Sequence, residues 1–145
     1  MLSKASKYAI AAVLYLTNNA SKEQKIGSKI IAEKLELPAP FLAKTMQELT
    51  KKGLIKSVKG PHGGFYLSDK NKKNTVYEII DCVDDITKFD QCYLGQSECS
   101  EENPCVVHYL YVPFKNQLLN KLKNKTILEM ATEFAKNNNL NEIIK

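Results

Sequence analysis

Three of the chain's four cysteines and one of its two histidines fall in one stretch, CYLGQSECSEENPCVVH, which runs from Cys92 to His108 with the spacing Cys-x6-Cys-x5-Cys-x2-His. Three thiolates and an imidazole on one short, turn-rich loop could hold a zinc ion or an iron–sulfur cluster. The candidate ligands are Cys92, Cys99, Cys105 and His108. The same residues admit plainer readings: buried thiols beside an unrelated histidine, a disulfide, or cysteines that oxidise directly as a switch. The end of the loop predicts a helix start, with Asn103 as cap, Pro104 at the first helical position, and Cys105 and His108 on one face. Cys82 repeats with Val76, Ile79, Ile80 and Val83, so it belongs to a helix core and not to the ligand set.

The chain has 145 residues, room for one modest domain or a small domain with an added arm. Its net charge of +5 hides an asymmetry. Residues 1–74 carry 14 Lys against 5 acidic residues, whereas residues 75–145 carry 7 Lys against 11. A basic first half suggests a polyanion-binding module joined to something else. No arginine occurs, so groove contacts must come from Lys, Gln, Thr, backbone amides and apolar groups. The apolar run Ala9–Leu16 is too short to span a bilayer and follows no cleavable leader pattern, so a cytoplasmic protein without membrane contact is expected. Enzymes are disfavoured: there is no phosphate-binding glycine loop, no paired carboxylate frame, and no nucleophile–base pair beyond generic Cys and His.

The elements that carry these residues follow from periodicity. Residues 3–18 read as a helix with Ala5, Tyr8, Ala9, Ala12, Val13 and Leu16 on one face. A short helix follows Gly27-Ser28, with Ile31, Ala32 and Leu35 inward. Pro40 opens a second helix at its first position, Leu42, Met46 and Leu49 form its buried stripe, and Gly53 ends it. That pair is a helix-turn-helix pattern. Leu54–Lys59 alternates as a strand, Gly60–Gly64 turns, and Phe65–Ser68 returns, so the whole reads as a winged helix. The polar run 70–74 is the expected boundary between a winged helix-turn-helix DNA-binding domain over 1–74 and a cysteine-loop sensor with dimerisation helices over 75–145. The fold class is therefore mainly α with a minor β part. Thr75 and Thr126 should cap helices, Pro113 should kink or restart the helix after His108, and the tail Asn137–Lys145 should fray. Phe114, Leu118 and Leu122 form a narrow stripe that suits either the protein's own core or a seam with a second copy.

In such a fold the Pro40–Lys52 helix enters the major groove. Phe41 and Ala43 could touch thymine methyls, and Lys44 and Gln47 could bond base edges. Lys4, Lys7, Lys56 and Lys59 suit phosphates, and His62 and Gly63 sit at the wing tip. Without arginine, bidentate guanine readout is missing, which favours an A·T-rich operator.

The opening LSKASKYAI, the segment IIAEKLELPAPFLAKTMQEL, the wing KKGLIKSVKGPHGGFYLS and the cysteine loop together resemble the IscR/NsrR family of winged-helix transcription factors over nearly the full length. The resemblance implies a homodimer that binds palindromic operators and senses iron–sulfur status, nitric oxide or redox stress. Members with an N-terminal carboxylate ligand carry it near the positions of Lys7 and Tyr8, so the resemblance makes His108 the fourth ligand here. That ligand set implies a [2Fe–2S] cluster, with [4Fe–4S] or zinc also allowed by the donors. The first cysteine gap is one residue longer than the IscR-like pattern, and Ala43 replaces a recognition-helix glutamate found in some members.

Overall fold

The computed structural model describes residues 2–137. Ser3 starts the first helix: its Oγ accepts the backbone N–H of Ser6 at 3.1 Å, and α1 runs Lys4–Asn19. Sequence periodicity gave α1 one apolar face. The structure buries it on every side, because Ala11 and Leu14 are enclosed as well as Ala9, Ala12, Val13 and Leu16. A helix that is apolar all round belongs at the centre of a core, and α1 lies against α2, α3, α5 and α7.

α2 (Ser28–Leu35) buries Ile31, Ala32 and Leu35. Glu36 then takes the left-handed conformation (φ 55°), and the Leu37 N–H reaches back to the Ala32 carbonyl at 2.9 Å. α3 (Ala39–Lys51) follows at once, so Pro40 occupies the second helical position and not the first. Both Pro38 and Pro40 stand where a helix start leaves N–H groups without partners, so neither costs a hydrogen bond. Leu42, Thr45, Met46 and Leu49 face inward, and Gly53 (φ 74°) closes the helix end.

The wing is β1 (Lys56–Val58) paired antiparallel with β2 (Gly64–Tyr66), in the register Lys56 with Tyr66 and Val58 with Gly64. These strands are shorter than the alternation implied, since Leu54, Ile55 and Leu67 leave the ladder to enter the core. Ile26 adds a bridge on the far side of β2, exchanging backbone bonds with Phe65 at 3.1 and 2.8 Å.

The polar run at 70–74 is not an open linker. Ser68 and Asn71 form a capping box around α4 (Asp69–Lys72), and the buried Asn71 donates from Nδ2 to the Gly53 carbonyl at 2.9 Å. α5 (Val76–Val83) and α7 (Ile127–Asn137) are capped by Thr75 and Thr126 as the sequence suggests. Their starts are tied together: Val76 N–H bonds the Lys125 carbonyl and Ile127 N–H the Asn74 carbonyl. Val76, Ile79, Ile80, Ile127 and Ala131 join the same hydrophobic cluster as α1, so the core crosses the boundary expected at residue 74. Residues 138–145 of the tail lie outside the described residues.

After α5 comes a 3-10 turn (Ile86–Asp90), then the cysteine loop, then α6 (His108–Asn124). Of the kink or restart expected at Pro113, the restart does not occur: α6 continues through it. No helix among the described residues is long and apolar enough to cross a membrane.

Asp84 fastens this second half to α1. Its carboxylate accepts the Ser6 hydroxyl at 3.0 Å, the Asp85 N–H at 2.9 Å, and the Lys88 ammonium. Burial alone would raise its pKa, but the hydrogen bonds from Lys88, Ser3, Asp85 and Ser6 outweigh that and hold it well below the usual carboxylate range. A depressed carboxylate adds stability that is complete above the unfolded value of about 4 and is lost as pH falls towards the folded one. Asp84→Asn should therefore cost on the order of 1–3 kcal/mol near neutral pH. Urea melts across the acid range should show a flatter pH dependence for the variant than for the parent.

Candidate nucleic-acid interface and cysteine centre

α3 and the wing enclose a groove of about 640 Å³ lined by Lys44, Gln47, Glu48, Thr50, Lys51, Ser57, Lys59 and Phe65. Three residues expected to face DNA, Lys44, Gln47 and Lys59, thus meet on one surface. Strand alternation turns Ser57 and Lys59 toward the groove and leaves exposed Lys56 on the opposite face of β1. Lys4 and Pro40 are exposed, Lys7 is half-buried, and His62 stands free at the wing tip. Phe41 is 40% exposed because its ring packs edge-on against Tyr8 of α1, with centroids 5.3 Å apart. Ala43 is half-buried. Thr50, Lys51 and Ser57 were missed by sequence reasoning; counting every third or fourth exposed position along α3 from Lys44 would have found Lys51.

Gly63 acts through its backbone. A Cβ there would lie 2.0 Å from the Val58 carbonyl oxygen, and one on Gly64 (φ 146°) would press on the Ile26 backbone at 2.9 Å. The Gly60 carbonyl accepts the Gly63 N–H at 2.9 Å to close the tip. These glycines set the wing's shape.

In the cysteine loop the structure brings one pair of donors together. Cys99 Sγ lies 3.6 Å from Nδ1 of His108. All four cysteines carry free thiols, and among the described residues no three donors gather around one point. Cys92 is buried, in a turn that the Gly95 N–H closes on its carbonyl at 3.0 Å. The Gln96 N–H chiefly lowers its pKa; burial opposes this, and Leu94, Cys105 and Gly95 add to the lowering. His108 is 4% exposed and is the first residue of α6.

The helix start expected at Asn103 and Pro104 is not formed. Asn103 donates its N–H to Ser100 Oγ at 3.3 Å, and a tight turn from the Cys105 carbonyl to the His108 N–H (3.0 Å) precedes α6. Val106 and Val107 occupy that turn, and β-branched residues favour a helix less than the straight-chain types. Tyr111 was also missed. Its hydroxyl donates to the Phe89 carbonyl at 2.9 Å and its ring lies 5.3 Å from Tyr93, which clasps both ends of the loop. Burial first, then the neighbouring Cys99, Asp90 and Tyr93, push the Tyr111 phenol up. Cys82 is half-buried, its thiol donating to the Glu48 carbonyl at 3.5 Å and pushed up in pKa first by burial.

A three-helix core with a helix-turn-helix, a two-stranded wing and a basic groove between them defines a winged-helix regulator. The profile of the Rrf2 family, described as an iron-dependent transcriptional regulator, matches residues 2–133. The chain belongs to that family. It is 39% identical over 132 residues to an inferred HTH-type transcriptional regulator of Aquifex aeolicus, covering 90% of both chains. It is 29% identical over 130 residues to the HTH-type transcriptional regulator IscR of Escherichia coli, covering 90% of this chain and 79% of that one. Its fold superposes on CymR, the global cysteine regulator of B. subtilis, with a TM-score of 0.73 at 20% identity, covering 92% of this chain and 97% of that one.

Gly63→Ala should be unable to keep the wing turn as it stands. The displaced backbone should cost on the order of 1–3 kcal/mol. Chemical denaturation and an amide spectrum of β1 and β2 would register it, and an unshifted wing would contradict the close approach to Val58.

Proposed function

We propose that the chain is a cytoplasmic, homodimeric, operator-binding regulator whose DNA affinity follows the state of its cysteine loop. The observation that carries the reading is the placement of His108. It is buried, pairs with Cys99, and begins a helix whose first half exposes large apolar side chains: Tyr109 is 69%, Leu110 76% and Phe114 51% exposed. A change at the loop thus acts at the root of the surface a second copy would cover.

On the DNA side, α3 enters the major groove with Lys44 and Gln47 toward base edges, and Lys59 and Lys51 flank them at phosphates. Lys4 and Lys7 add phosphate contacts from α1. Phe41 is held by Tyr8, so its exposed edge is what remains for a thymine methyl. The operator is palindromic, as a two-fold dimer requires, and A·T-rich, since no arginine is present to grip guanine.

Cys92, Cys99, Cys105 and His108 fit an iron–sulfur cluster by donor type, with three free thiols and an imidazole on one loop. The N–H groups around Cys92 favour the thiolate that such a group needs. A bound cluster, with [2Fe–2S] preferred, would supply a redox- and nitric-oxide-sensitive bond network. The protein's part is to hold His108 at the head of α6 and to fix the loop's root through Tyr111 and Phe89. The second reading, a metal-free thiol switch, is favoured by one observation: Cys92, Cys99 and Cys105 all carry free thiols on the one loop. A structural zinc site uses the same four residues.

Anaerobically purified protein should be brown, with equal iron and sulfide; Cys92→Ala should lose the colour, keep the fold, and bind a selected operator with changed affinity. Colourless protein with one zinc, or metal-free protein forming a Cys92–Cys105 disulfide under peroxide, would replace the cluster reading. In a separate test, Leu110→Lys with Phe114→Lys should yield monomers by light scattering and weaken operator binding. A dimer that survives both changes would move the interface elsewhere.

A further inference from the structure

We propose that Asp84 is a positioning residue for DNA binding, the joint through which the root of the cysteine loop fixes the DNA-facing end of α1. Three donors from two elements meet on its carboxylate. Ser6, fully buried in the first turn of α1, donates its hydroxyl at 3.0 Å. The Asp85 N–H and the Lys88 ammonium donate from the chain that leads into the loop, and Lys88 lies in the 3-10 turn that ends two residues before Cys92. Ser3, whose Oγ caps α1, lies 3.4 Å from the Ser6 hydroxyl.

That first turn of α1 carries Lys4 and Lys7. The next residue, Tyr8, packs against Phe41 near the start of α3. The contacts therefore run without a break from Lys88 through Asp84 and Ser6 to the lysines of α1, and on through Tyr8 to the recognition helix. Ser6 is fully buried, so loss of Asp84 would take away the carboxylate its hydroxyl donates to, and this link has little freedom to drift. Asp84 makes no DNA contact in this scheme. It sets where Lys4 and Lys7 stand.

The inference rests on the reading of Lys4 and Lys7 as phosphate contacts, and the experiment separates the two. The probe is a duplex selected from random DNA by the wild-type protein, with affinity measured across a salt series. Each phosphate contact contributes about 0.9 to the slope of log affinity against log salt. Lys4→Ala with Lys7→Ala should lower the slope by nearly two such units, which calibrates the contribution of α1. Ser6→Ala and Asp84→Asn should each lower it by about one unit, with roughly three- to ten-fold weaker binding at moderate salt. A merely structural role would reduce the folded fraction and leave the slope unchanged. Ser6→Ala guards against misfolding in Asp84→Asn, since alanine is a strong helix former, and circular dichroism confirms both folds.

If the lysine variant lowers the slope while folded Ser6→Ala and Asp84→Asn keep the parental one, the joint is refuted and the phosphate contacts stand. If the lysine variant leaves the slope unchanged, the phosphate reading of α1 fails and the inference falls with it.

Discussion

The side chains of Ala9, Ala11 and Ala12 have no exposed surface, and each is small enough to let a neighbouring helix approach closely. α1 is in contact with α2, α3, α5 and α7, so it packs against both halves of the chain. Cores pack at near-crystalline density and transmit displacement instead of absorbing it. Asn18 strengthens the far end of the same helix by donating to the Ala131 carbonyl of α7 at 3.2 Å. A shift of α5 or α7 must be answered by α1. Because α1 also holds Tyr8 against Phe41, it must be answered by the recognition helix too.

Much of this was legible before any coordinates. The stripe Leu42, Met46, Leu49 and the stop at Gly53 define α3, and the alternation from Leu54 with the glycine-rich turn defines the wing. Local chemistry wrote those elements, and local patterns recover them. What escaped depended on partners far away in sequence. Asn71 looks like one more polar residue in a linker, yet it is buried because the Gly53 carbonyl needs a donor. Asp84 and Ser6 are 78 positions apart, and no periodicity links them. The helix start at Asn103-Pro104 was a sound local signal that a stronger tight turn at Cys105–His108 displaced. Of the cysteine centre, the donor types were legible and the approach of Cys99 to His108 was not.

The loop's composition decides how readily its donors could gather around one group. Its ends are anchored in buried positions at Phe89 and His108, whereas Tyr93 to Glu98 and Glu101 to Pro104 are exposed. Exposed segments with few apolar contacts rearrange at small free-energy cost. Structural metal sites release on the order of 10–16 kcal/mol on binding in small peptides, far more than such a loop needs to reorder. A group that binds only the gathered arrangement would therefore select it, and the size of the shift would be set by its differential affinity for the two arrangements.

Anchored ends and a yielding middle also decide where such a change can be felt. Displacement inside the loop is taken up by its exposed residues unless it reaches a buried end. One end is the 3-10 turn, whose Lys88 holds Asp84 and, through Ser6, α1. The other is His108, the first residue of α6, whose C-terminal half is pinned to α5 by Lys123 over the Tyr77 ring at 4.9 Å. The first half of α6 instead presents Tyr109, Leu110 and Phe114 outward. A tightening of the loop that pulls on both ends would thus reorient the outward half of α6 about its pinned half and draw on the first turn of α1. Under the proposed dimer, the former sets the separation of the two recognition helices and the latter the stance of each on its half-site. A DNA-binding dimer is sensitive to both, because half-site spacing tolerates little error. Tyr111, which bridges the two ends through the Phe89 carbonyl, keeps them from moving independently.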